Sequence, residues 1–203
     1  MSLVVDCVTI EDLEGLAKLA RATFIESYAQ VDDLVYLKKH LEKNCTLKTI
    51  KKEFNTPRVH FFIARVNEQP VGFCKLVSDE DEDHPLLKQQ RCIELERMYV
   101  LKEFQSLHVD NALMHMVLNF ASEHLFETIW LGVSDKNEGA KRFYGQWGFI
   151  YFDTHLFDFG GDIQTDILMK RPVKIKDVGE QAEFDQPLSW ISKIKKYINI
   201  LIR

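Results

Sequence analysis

The 203-residue chain predicts an α/β fold, more narrowly an α+β mixed sheet with helices on both faces. Three observations predict it. Short apolar runs alternate with stretches whose apolar residues recur at helical spacing. Two of the early runs lie close enough together to form a hairpin, which is antiparallel, whereas strands separated by helices allow parallel pairs. Hydrophobic residues make up 46% and charged residues 28%, enough for a packed core beneath a solvated surface.

Leu3 to Val8 reads as a short strand. Thr9 and Asp12 offer capping oxygens, and Leu13, Leu16, Ala17, Ala20, Phe24 and Tyr28 then trace one helical face. Further helices are expected over Leu34 to Leu41 and Leu47 to Phe54, closed by Pro57. Val59 to Val66 and Val71 to Val77 form the hairpin, with Asn67-Glu68-Gln69-Pro70 as its turn. The acidic run Asp79 to Asp83 is a solvated loop, its sharper reading being a collar for cations.

Cys92 to Leu101 is another strand, and Leu107 to Leu125 a long helix with Val109, Leu113, Met116, Val117 and Phe120 on one face. Thr128 to Val133 is a buried strand. A short helix, Asn137 to Trp147, stops at Gly148. Phe149 to Phe157 and Gln164 to Met169 close the sheet around a Gly160-Gly161 turn. Residues 1–171 make one domain and 172–203 an extension.

The net charge of -5 argues against a general grip on nucleic acid and favours cationic small molecules. Cys7, Cys45, Cys74 and Cys92 lack metal-ligand spacing, as do the seven histidines, so neither a metal site nor a disulfide framework is expected. The N-terminus lacks the pattern of a secretory signal and no run is long enough to span a bilayer, so the cytoplasm is the expected compartment.

Two segments carry the chemistry. One runs from Glu94 to Gln105, Glu-Leu-Glu-Arg-Met-Tyr-Val-Leu-Lys-Glu-Phe-Gln, and leads into the long helix. The other is Asn137-Glu-Gly-Ala-Lys-Arg-Phe-Tyr144-Gly-Gln-Trp-Gly148-Phe149. Together they resemble the cofactor motif and the following tyrosine motif of the Gcn5-related N-acetyltransferases. The resemblance covers roughly residues 3–170 and is strongest from Ile93 to Met169. The runs Ile129-Trp-Leu-Gly-Val and Gln164-Thr-Asp-Ile-Leu-Met are similar to the spermidine/spermine acetyltransferase-like branch.

That resemblance implies an acyl-CoA N-acyltransferase fold. It implies direct transfer of an acetyl group from acetyl-CoA to a primary amine (polyamine, small amine or peptide), with no metal. It places Tyr144 as the acid for the departing thiolate and Asn137 on the cofactor chain. The open strand edge at Met98 and Val100 would pair with the pantetheine arm. The pyrophosphate would meet Gln105, Ser106, His108, Val109 and Asp110 at a helix N-terminus, where the macrodipole favours anions. Glu94 and Glu96 lie two apart on one strand, hence on one face, and Glu96 is the candidate base.

The family loop places glycines where this chain has Ser106, His108 and Asp110. Glycine reaches φ > 0 without cost and lets backbone approach phosphate closely. Ser106 can donate a hydroxyl and His108 can carry a positive charge, whereas Asp110 opposes phosphate and suits a helix first turn. An alternative reading is therefore a fold member that binds or assembles without catalysis, and the acyl-chain length stays open. Residues from about Phe24 to Leu41 are expected to line the acceptor side. In the extension, Trp190, Ile191, Ile194, Ile198 and Leu201 share a face among basic residues. Docking on the parent domain or pairing of two copies is the expected role, ahead of contact with a membrane.

Overall fold

The computed structural model describes residues 1–28, 34–79, 84–88 and 90–174. The calls on the extension's amphipathic face and on most of the acidic run lie outside the described residues.

The strands are β1 (Leu3–Cys7), β2 (Val59–Val66), β3 (Gln69–Asp79), β4 (Cys92–Val100), β5 (Thr128–Ser134), β6 (Ile150–Phe159) and β7 (Asp162–Pro172). The helices are α1 (Leu13–Ser27), α2 (Leu34–Asn44), α3 (Leu47–Phe54), α4 (Val109–Glu123) and α5 (Glu138–Gln146), with a 3₁₀ segment at Lys102–Leu107. The strands form one sheet in the order β1-β2-β3-β4-β5-β7-β6. Only β4 and β5 run parallel; the other neighbours are antiparallel.

Alternation along the strands builds two cores, one on each face. Phe62, Cys74, Ile93, Leu95, Ile129, Leu131 and Val133 pack under Leu113, Val117 and Ala121 of α4. Their strand neighbours Phe61, Ile63 and Phe73 turn the other way, against Leu16 and Phe24 of α1, Leu37 of α2 and Ile50 of α3. Leu16, Ile50 and Leu113 are fully buried. Each such side chain contributes about 1.5–3 kcal/mol in transfer from water.

The hairpin turn is tighter than the four residues expected. Asn67 (φ 49°) and Glu68 (φ 71°) alone form it, and Gln69 and Pro70 belong to β3. Two consecutive left-handed residues are the geometry that joins adjacent strands without splaying them. Pro70 is tolerated in the strand because the register shifts beside it, Ala64 facing Gly72 while Arg65 faces Pro70.

The β6–β7 hairpin curls over α1 and α2. Phe159 stacks on Tyr28 at 4.8 Å and on His40 at 5.4 Å, and His40 lies flat on Phe24 at 4.2 Å. Burial, then the charges of Arg97 and Lys43, lower the His40 pKa to about 4. Burial does the same to His60, also to about 4. An unfolded histidine takes up its proton near pH 6.5, so the unfolded chain binds more protons between about pH 6.5 and 4. Stability is therefore lost as pH falls through that window. Replacing His40→Phe keeps the stack and removes one of the two titrations. The urea midpoint of the wild type should drop more between pH 7 and pH 5 than that of the variant.

Candidate active site

The cleft begins where β4 and β5 part. Their ladder holds three pairs, Cys92 with Thr128, Ile93 with Ile129 and Glu94 with Trp130. Beyond these, Leu95 to Val100 stays paired with β3, and Leu131 to Ser134 with β7. Two strand edges then face one another across a gap, each with backbone groups in need of partners. Met98 and Val100 lie on the β4 edge. The Val100 carbonyl accepts a long hydrogen bond from Gln105 Nε2 at 3.4 Å.

The segment leading into α4 is the 3₁₀ turn containing Gln105 and Ser106, followed by His108 in the left-handed region at φ 57°, ψ 29°. This conformation costs an ordinary side chain about 1 kcal/mol, which explains why glycine suits the position elsewhere. Val109 is fully buried in the α4-side core, so its side chain anchors the helix while its backbone stands at the helix start. Asp110 Oδ1 accepts the Asn111 N–H at 2.8 Å, so the carboxylate uses one of the first-turn donors that a phosphate would seek.

Across the cleft, α5 is fixed at both ends. Asn137 caps it, with Oδ1 accepting the Ala140 N–H at 3.0 Å. At the other end Gly148 adopts φ 81°, with Gly148 N–H bonded to Gly145 O and Phe149 N–H to Tyr144 O, each at 3.0 Å. This is a Schellman closure, and only glycine enters it without strain. Arg171 Nη1 also donates to the Trp147 carbonyl at 2.9 Å, tying the helix end to β7.

Tyr144 is thereby held half-buried between Phe143 (5.4 Å) and Phe149 (5.7 Å). Among the described residues its hydroxyl makes no hydrogen bond. Burial, then the neighbouring Cys74 thiol, pushes the phenol up, so it stays protonated at neutral pH. Tyr99 of β4 is pushed up as well, by burial first and then by Tyr28. Tyr99 and Tyr28 pack with the α1-side core and Tyr144 with the α4-side core, so phenols flank both faces of the sheet near β4.

Glu96 stands apart from this group. It is the extra residue of a β-bulge, since Lys75 faces Arg97 and Leu76 faces Leu95. The bulge turns Arg97 toward α3, although Leu95, two residues earlier, faces α4. Glu96 meets Lys75 Nζ at 2.7 Å and Arg97 Nη2 at 3.2 Å. Glu53 of α3 completes the network, 2.8 Å from Lys75 and 2.9 Å from Arg97. The Lys75 side chain is only 5% exposed, so its charge depends on these carboxylates.

Sequence reasoning brought Tyr144, Asn137, Val100 and the α4 start to one region. Tyr28 lies within the stretch from about Phe24 to Leu41 expected on the acceptor side, whereas Tyr99 was read only as a strand position. Nor did sequence reasoning single out Trp130, whose buried indole N–H has no acceptor among the described residues. Their alternation was readable, but not which strand edges would part. Among the described residues no His, Cys, Asp or Glu side chains gather as metal ligands do.

A parted parallel pair with helix N-termini beside it and a half-buried, protonated phenol defines a class of acyl-group transferases. Comparison with known proteins narrows it: residues 15–149 match the acetyltransferase (GNAT) family model, and the chain belongs to that family. An uncharacterized N-acetyltransferase of Lactobacillus delbrueckii subsp. lactis is 30% identical over 164 residues, covering 81% of this chain and 94% of the relative. One of Mycobacterium bovis is 28% identical, covering 79% and 97%. In fold, the chain is similar to a PaiA N-acetyltransferase of Thermoplasma acidophilum solved with coenzyme A (TM-score 0.69, 20% identity, covering 85% and 99%). A probable acetyltransferase of Staphylococcus epidermidis is similar too (TM-score 0.67, 16% identity, covering 85% and 100%). The chain is an N-acetyltransferase of the GNAT class; these likenesses do not single out the spermidine/spermine branch.

The ion network gives a stability prediction. Glu53→Gln leaves Lys75 and Arg97 with Glu96 as their shared carboxylate and should cost about 3 kcal/mol in urea unfolding. Glu96→Gln, at the more exposed end (side chain 31% exposed), should cost less.

Proposed function

We propose that the chain transfers an acetyl group from acetyl-CoA to a primary amine by direct attack, with Tyr144 as the proton donor. The observation that carries this reading is the unbonded Tyr144 hydroxyl at the fork of β4 and β5, on a helix fixed by Asn137 and Gly148. The PaiA relative in fold was solved with coenzyme A, which supports a CoA thioester as the cosubstrate.

In this reading the pantetheine arm, a chain of amides, pairs with the open β4 edge at Met98 and Val100. Gln105 would release the Val100 carbonyl to it. The pyrophosphate meets the start of α4, where Ser106 and His108 can donate and Val109 and Asp110 offer backbone N–H groups. Asn137 uses its Oδ1 as a cap and keeps its amide N–H groups for the cofactor.

The amine nitrogen attacks the thioester carbonyl, the C–S bond breaks and the thiolate leaves. A free thiol has a pKa of about 8.5, below that of the raised phenol, so Tyr144 serves chiefly by hydrogen-bonding the developing thiolate. The proton the nitrogen loses balances the one the sulfur takes up, and Tyr144, after lending its proton to the thiolate, regains one from solvent, leaving amide and thiol. Glu96 is the proposed acceptor for that nitrogen proton. Its oxygens are shared between Lys75 and Arg97, so it would act through an ordered water.

The four free cysteines suit a reducing cytoplasm. A small amine is the proposed partner, and pairing of two copies through the extension remains part of the proposal.

Two measurements test this reading. Tyr144→Phe should lower kcat for amine acetylation about 100-fold or more while the protein still binds acetyl-CoA; undiminished turnover removes the assignment. Calorimetry should find micromolar acetyl-CoA binding by the wild type, tightened in Asp110→Gly because a first-turn N–H is released and a repulsive carboxylate removed. Binding gained only in the variant would mean that the loop opposes the cofactor.

A further inference from the structure

The α1 face of the sheet, toward which the acceptor-side helices pack in the functional reading above, holds a carboxylate that neither motif accounts for. Asp166 of β7 lies opposite Ser134 of β5 on one side and His155 of β6 on the other. Its chain neighbour Ile167 packs with the α4-side core, so alternation turns Asp166 toward α1 and α2. The side chain is 15% exposed, and Oδ2 lies 3.7 Å from His155 Nε2.

Two residues open this carboxylate toward the fork. Gly132 stands beside it without a side chain: a Cβ there would lie 3.4 Å from Asp166 Oδ2 and 3.5 Å from His155 Nε2. Tyr28, at the end of α1, is within electrostatic reach of Asp166 and also of Tyr99, which in turn feels Tyr144. Tyr28 and Tyr99 pack with the α1-side core, the face to which Asp166 turns, whereas Tyr144 packs with the α4-side core.

The plain alternative is a structural ion pair with His155. At 3.7 Å that pair is beyond hydrogen-bond length, and the His155 side chain is 43% exposed. Burial pushes the Asp166 carboxyl up, His155 pulls it partly back, and the like charge of Asp135 adds to the push. A carboxylate held in this half-dry place costs the protein stability, and an arriving cation relieves that cost.

We propose that Asp166 is a specificity residue that anchors a positive charge the acceptor carries in addition to its reacting nitrogen. The second charge follows from the chemistry. The attacking nitrogen must be neutral, and a carboxylate beside it would hold it as ammonium and slow the reaction. The same carboxylate beside a separate cationic centre only positions the molecule. Gly132 leaves the space, and the net charge of -5 favours the approach of such a molecule. The inference rests on the amine acetyltransferase reading above.

The test compares propane-1,3-diamine with propylamine, which offers the same reacting group without the second charge. Asp166→Asn should raise KM for the diamine about tenfold or more, with kcat within about threefold and propylamine kinetics unchanged. Calorimetric titration of the diamine into the protein, with and without CoA, should show the same loss of affinity in Asp166→Asn. Gly132→Ala, which fills the gap without changing charge, should show it too. Because the buried anion costs stability, Asp166→Asn should raise Tm, whereas removal of a structural ion pair would lower it.

Unchanged diamine binding and KM in Asp166→Asn overturn the proposal, as does an absence of diamine binding to the wild type. Equal kcat losses for both amines overturn it as well. Absence of acetyl transfer to either amine would sink the functional reading instead, and the dependence of diamine binding on Asp166 would still decide the anchor.

Discussion

After three residue pairs the β4–β5 ladder ends, and the facing edges beyond it exchange no hydrogen bonds with one another. The other edge of β4 is taken by β3, and that of β5 by β7 over its whole length. A bulge at Glu96 adds local twist to β4 just past the last shared pair. The result is a fork with two facing rows of backbone groups, held open by sheet partners on either side and by a packed core above and below. A ligand that supplies its own amides fits such a fork without needing special side chains. The α4 start and the α5 helix with Tyr144 take their meaning from that opening.

The residues around the fork trade stability for position. His108 sits in a left-handed conformation that a glycine would adopt at no cost, and Asp110 spends a first-turn donor on its own side chain. Lys75 is buried and depends on Glu53 and Glu96 for its neutralising charge. Asp166 is held in a half-dry place beside a loosely placed histidine. Sites that handle charge tend to store strain of this kind, and the rest of the fold offsets it. Here the offset comes from the two apolar cores and from the stacked aromatic cluster of Phe24, His40 and Phe159.

Much of this was legible in the chain. The hairpin, the α3 limits and the Gly148 stop follow from local chemistry, and the structure places them within a residue or two of expectation. The Asn137–Phe149 segment carried its own helix signals at both ends, so Tyr144 could be placed on a short helix from sequence. Other features were not legible. The hairpin turn needed two residues rather than four, because a strand can admit Pro70 where the register shifts. Glu96 stood as the candidate base or as a carboxylate paired with Arg97 or a lysine. Sequence did not show that Lys75 of β3 and Arg97 would both hold it, with Glu53 of α3 sharing the same two cations. Asp166 looked like one residue in a closing strand.

Sequence by itself determined the family, the alternation of helices and strands, and the segments that bear the chemistry. Those depend on periodicity, capping and turn residues, which act over a few positions of chain. Tertiary structure decided which strand edges part, that β7 lies between β5 and β6, and that Tyr28, Tyr99 and Asp166 share the α1 face of the sheet. These depend on contacts between residues far apart in sequence, where a bulge or a crossing strand changes which side chains meet.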